Sequence, residues 1–142
     1  AAALPRRSGV GLMLIADWGR RPSARVSDVA EAVLLGTCLV VPSERRLPSS
    51  LGLARRDFRS PHRGHVWEAI QSLPEESVDA VTVTSWLEAR HLAPPRGLTW
   101  LMAVVGLLDE TCPDEEQMTA YTQIVKEAAT RRALRVVKSE AD

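Results

Sequence analysis

A chain of 142 residues, 45% hydrophobic and 25% charged, can bury one substantial core and lacks the polarity of a disordered protein. Its 18 basic and 18 acidic residues cancel, which excludes a global field drawing it onto nucleic acid or an anionic membrane. Sixteen of the basic residues are arginines and two are lysines, a bias that coding composition explains as readily as function.

Residues 1–25 are unassigned, read as a disordered or non-native extension, and left out of the fold. Arg6 and Arg7 precede the apolar run Val10 to Ala16, which is far shorter than the roughly 20 residues of a membrane span. Asp17 and Trp18 end that run without a small-residue cleavage site, which argues against a secretory or twin-arginine signal. The first predicted helix is SDVAEAVLLGTCLV, with Ser27 as N-cap and Asp28 and Glu31 in its first turn. Val29, Ala32, Val33, Gly36, Leu39 and Val40 repeat with helical period. Residues 42–59 are mixed, with a short helix around Leu47 to Arg56. Ser60 and Pro61 then form the strongest start signal in the chain, an N-cap followed by a first-turn proline.

The stretch DAVTVTSWLEARHL reads as a turn and then a helix capped by Thr82. GLTWLMAVVGLL follows and stops at Thr111-Cys112-Pro113. The last helix, from Asp114, has Asp114, Glu115 and Glu116 at its start and Arg131, Arg132, Arg135 and Lys138 at its end. That order complements the helix dipole at both ends and accounts for the basic tail without a ligand. No run alternates as a strand would, so the fold class is all-α.

His62-x-x-His65-x-x-Glu68 is the one stretch that resembles a metal or proton-transfer site. At about 100° per residue, His62 shares a face with Val66, Ala69, Ile70 and Leu73, while His65 and Glu68 point progressively away. A zinc site needs further ligands, and His91 would have to come from another helix. The histidines therefore read as a helix start. Cys38 and Cys112 match no metal spacing and are read as two reduced thiols. The chain has no G-x-x-x-x-G-K-[ST], no G-x-S-x-G and no G-x-G-x-x-G, so no catalytic, cofactor-binding or metal-binding residue is assigned.

GLTWLMAVVGLL is apolar nearly all round, and such a helix must be buried on every side. One face is expected to pack on the following helix, and the other on the rest of the chain or on a second subunit. The expected subunit or partner interface is Trp100, Leu101, Val104, Leu108, Met118, Tyr121 and Val125. Trp18, Trp67, Trp86 and Trp100 are dispersed, which suits core and interface anchoring better than a base-stacking platform. The arginines Arg45, Arg46, Arg55, Arg56, Arg59 and Arg63 form the one cluster that could meet phosphate. With Glu44 and Asp57 among them, it reads first as solvated surface.

Four stretches together resemble the amino-terminal domain of the bacterial replicative DNA helicase, the DnaB-type family. AEAVLLG (Ala30 to Gly36) is similar to the family's A-E-x-x-[VL]-L-G, and DFRSPHRGHVWEAIQSL to F-x(3)-H-R-x-[IV]-[FW]-x-A-[IM]-x-x-L. VDAVTVTSWLEARHL is similar to [IV]-D-x-[VI]-T-[LV]-x-x-x-L, and AYTQIVKEAATRRAL to Y-x-x-[IV]-[VI]-x-E-x-x-x-R-x-[LI]. Each motif alone is mostly helix-packing residues; together they keep the family's order and spacing over residues 28–135.

The resemblance implies an orthogonal helical head, residues 26–95, followed by an antiparallel helical hairpin, residues 96–142. It also implies a cytoplasmic homo-oligomer, a dimer or a hexamer with the ATPase domain, that docks primase and a helicase loader. DNA would be reached only indirectly and no membrane would be involved. ATP and magnesium belong to the family's ATPase domain, which is missing from this sequence, so no cofactor is expected here. The primase carboxy-terminal domain has a related fold and is the rival within the same machinery. The sequence departs from the family in having Arg96-Gly97 where Gly-Gly is usual. A second class of function stays open: a DNA-binding domain in which VTVTSWLEARHL is half of a helix-turn-helix and the arginine cluster holds phosphate.

Overall fold

The computed structural model describes residues 25–108 and 112–141. The expectations for residues 1–24 and for a stop at Thr111 lie outside those residues. Among these residues six α-helices follow in order: α1 (Val26–Val40), α2 (Arg46–Ser50), α3 (Pro61–Ser72), α4 (Ala80–Ala89), α5 (Gly97–Leu108) and α6 (Glu115–Ala141). Short 3-10 turns occupy Pro42–Arg45, Arg55–Asp57 and Glu75–Ser77, and no strand occurs among the described residues. The all-α class read from the sequence is the class observed.

Local chemistry sets the helix starts. Ser60 Oγ accepts the Arg63 backbone N–H, and Pro61, lacking an N–H, occupies the first turn of α3. The cap of α4 is Asp79 and not Thr82. Asp79 Oδ1 accepts the Thr82 N–H at 2.8 Å while Thr82 Oγ1 accepts the Asp79 N–H at 3.0 Å, a reciprocal capping box. Asp114 and Gln117 repeat that box at the head of α6, at 2.8 and 3.0 Å. At α1 the expected Ser27 cap is absent: the helix begins at Val26, and Arg25 precedes it without a side-chain cap.

The first helix is the axis of the molecule. Every residue from Ala30 to Leu39 is buried, and ten consecutive residues cover all sides of a helix. Its neighbours are α3, α5, α6 and the first 3-10 turn. Thr37 keeps its buried hydroxyl satisfied by donating to the Val33 carbonyl at 2.7 Å. At Gly36 a Cβ would collide with Val104 and Leu108 of α5, so the glycine sets how closely the two helices approach.

A second close approach sits at Gly64, where a Cβ would lie 2.7 Å from the Arg55 carbonyl oxygen. This brings the turn Arg55–Asp57 against α3, beside the Phe58–Trp67 ring pair and the Trp67 Nε1 to Leu53 carbonyl bond of 3.2 Å.

Both α5 and α6 pack on α1, α5 also meeting α4 and α6 meeting α2. Since α1 offers apolar surface all round, both helices bury their stripes on it. One continuous core, from Ala30 to Val125, holds residues of α1, α3, α4, α5 and α6, and α2 packs against it through Leu47.

Candidate functional site

The seven residues expected at a subunit interface are largely interior. Trp100, Leu101, Val104, Leu108, Met118 and Val125 are buried in the core, and Tyr121 is half-buried against it. Helical periodicity placed them together but did not say which way their face looks. In α5 the inward face is Gly97, Trp100, Leu101, Val104 and Leu108. The face left in solvent carries Leu98, 37% exposed, and Met102, 58% exposed. On α6, every residue from Ala133 to Lys138 is exposed, and Leu134 and Val137, 62% and 61% exposed, share a side of that helix. These four apolar side chains are the candidate interaction surface. The sequence carried the signal, since a helix apolar all round leaves oily residues outward once one side is packed.

The arginine cluster is mostly engaged within the chain. Arg45 Nη1 donates to the carbonyls of Ile70 and Leu73 at 2.6 and 2.7 Å, closing the end of α3. Arg46 meets Glu75 at 2.8 Å and Arg55 meets Glu68 at 3.7 Å. Arg63, read from the sequence as solvated, is buried between two carboxylates of α1. Its Nε donates to Glu31 Oε1 at 2.7 Å and its Nη2 to Asp28 Oδ1 at 2.6 Å. Arg59 completes the group, with Nη1 donating to Asp28 Oδ2 and its backbone N–H to Glu31 Oε2, both at 2.9 Å.

Burial pushes the Glu31 carboxyl above its ordinary range, and the adjacent Arg63 guanidinium opposes that shift. Among the described residues two acids face two arginines, with Arg63 bridging both carboxylates, and the pairing is structural.

The other chemistry-bearing residues do not converge. His62 and His65 are half-buried on α3, and no group of three His, Cys, Asp or Glu residues assembles among the described residues. Cys38 is buried and Cys112 exposed, both as reduced thiols, with burial pushing the Cys38 thiol far above its ordinary value. In α4, the helix-turn-helix candidate, Val83 and Leu87 face the core, while Arg90 stacks over the Trp86 ring at 3.8 Å. No described helix is long and apolar enough to cross a membrane.

The architecture is thus an all-α domain whose buried charges are structural and whose free features are apolar and basic surface. The family described as the DnaB-like helicase N-terminal domain matches residues 24–127, and the chain belongs to that family. The match takes in Glu31, Gly36, Arg63 and the capping box of Asp79, so the residues that organise the fold lie within it. Neither a curated protein nor a solved structure matches the chain.

Proposed function

We propose that this chain is an assembly and partner-docking domain of a replicative DNA helicase, forming homo-oligomers and receiving primase or a helicase loader. The observation that carries the reading is the pair of outward apolar patches, Leu98 with Met102 on α5 and Leu134 with Val137 on α6. A helix that leaves its core with leucine and valine exposed on one side offers a stripe for another helix, and burial there releases about 25 cal/mol per Å². Membership of the DnaB-like family supports the choice of partners. The domain works by holding proteins together, with no chemistry of its own.

Light scattering across a concentration series tests this, first alone and then with purified primase. The expected result is concentration-dependent association that the double substitution L134E/V137E weakens by at least about tenfold, the effect of losing about 1.4 kcal/mol. A chain that stays monomeric at every concentration and leaves the mass of primase unchanged overturns the reading.

A further inference from the structure

We infer that the cleft between the start of α1 and the outer part of α6 binds the phosphate backbone of a nucleic acid. The cleft holds about 520 Å³ and is lined by Arg25, Arg59, Arg131, Arg132 and Arg135, with Glu127 as its acidic member. Such a concentration of guanidinium groups stands out in a chain whose net charge is zero, so any attraction it exerts on a polyanion is local.

The walls are built for the task from both sides. Arg59 is anchored from within by Asp28 at 2.9 Å, and Arg132 by the Asp57 carbonyl at 2.8 Å. Each bond uses only part of a five-donor guanidinium and holds the rest of the group in place. Arg131 and Arg135 are exposed and meet no acid among the described residues. One turn apart, they are separated by about 6 Å along the helix.

Across the cleft lies the beginning of α1, Arg25 to Ser27, whose first turn has no side-chain cap. Guanidinium groups and helix-start amides are the donors with which proteins hold phosphate oxygens. Among the described residues no aromatic ring lines the cleft, so the contact argued from them is with the backbone and carries no base-stacking readout. This contact goes beyond the assembly reading, in which DNA is reached only through partners, and does not depend on it.

Fluorescence anisotropy of the full chain with labelled oligothymidylate and with a labelled duplex tests the inference. Binding to either form is expected, the stronger one naming the preferred strand state. Its affinity should fall with salt at a log–log slope of about −2 to −3.6, as three or four neutralised phosphates give at 0.7 to 0.9 each. The double substitution R131E/R135E, on exposed side chains, should weaken binding at least about tenfold at low salt with an unchanged melting curve. R90E, a charge reversal at the C-cap of α4, should leave binding as it is. The inference is overturned by an absence of salt-dependent binding, by equal losses in R131E/R135E and R90E, or by an oligoglutamate peptide that competes as well as the oligonucleotide does.

Discussion

Arg63 Nε donates to Glu31 Oε1 at 2.7 Å inside the protein, joining the third helix to the first. Both side chains are almost wholly buried, and Asp28 takes the other end of the guanidinium at 2.6 Å. Removing the arginine strips both carboxylates of the cation buried between them. Arg63→Met should therefore lower stability by about 3–5 kcal/mol, the usual result of stripping one partner from a buried pair. Arg59→Ala, on a half-exposed side chain, should cost clearly less. Urea unfolding of the two variants measures both, and equal losses would show that the burial of Arg63 carries no special weight.

Glu31 gives the same cluster a pH dependence. Its carboxyl is pushed above its ordinary 4.5, chiefly by burial, so the folded chain holds that proton more tightly than the unfolded one. The contribution is fully present below about 4.5 and is lost as pH rises through the raised folded value. Arg63→Met removes the charge that opposes the shift, so its destabilisation should grow across that window. Unfolding free energies of wild type and variant along a pH series check this. A difference that stays flat through the mildly acidic range would count against a titrating Glu31.

Gly36 and Gly64 should tolerate no side chain. At Gly36 a methyl group meets Val104 and Leu108 of α5, and at Gly64 it meets the Arg55 carbonyl oxygen at 2.7 Å. Gly36→Ala and Gly64→Ala should each cost about 1–3 kcal/mol by overpacking, despite alanine's better helix propensity. Gly106→Ala on the outer side of α5 meets nothing and should stabilise, making it the internal control. Thermal melts of the three variants give the comparison.

Much of this frame was legible in the sequence, and the losses have a common cause. Ser60-Pro61 marked the start of α3 because capping is local chemistry, and Asp79 could have been found the same way from the Asp-x-x-Thr spacing. Arg63 was missed because charge patterning weighed it against sequence neighbours such as Asp57, whereas its partners are 32 and 35 residues away. The clue was Asp28 and Glu31 together on a helix otherwise apolar from Ala30 to Leu39, since acids there require a buried cation. The seven expected interface residues lie inside or half-inside for a different reason. Period identifies residues that share a face, but only tertiary packing decides that Trp100 and Val104 turn inward and Met102 outward.

The two thiols should separate by reactivity. Cys38 is fully buried, with its thiol held protonated by its surroundings, whereas Cys112 is exposed. Disulfide-exchange reagents attack through the thiolate and need access to it. One equivalent of thiol should react quickly in the native chain, and Cys112→Ser should abolish that phase. The second should appear only with denaturant. Rapid native labelling of both would mean that α1 opens far more readily than its burial allows.

The residue before α5 carries a backbone strain. Arg96 adopts φ of +63°, in the left-handed region, immediately before α5. A non-glycine residue there carries a cost of about 1–2 kcal/mol from contact between its Cβ and the neighbouring carbonyl. Glycine avoids that contact but loses about 0.5–1 kcal/mol more in chain entropy on folding. Arg96→Gly should therefore stabilise the domain by roughly 0.5–1 kcal/mol, the difference between those two terms. Arg96→Ala keeps the Cβ and removes only the exposed guanidinium, so it should leave the melting temperature nearly unchanged. If alanine stabilises as much as glycine does, the gain comes from removing the arginine's charge and not from relieving the backbone.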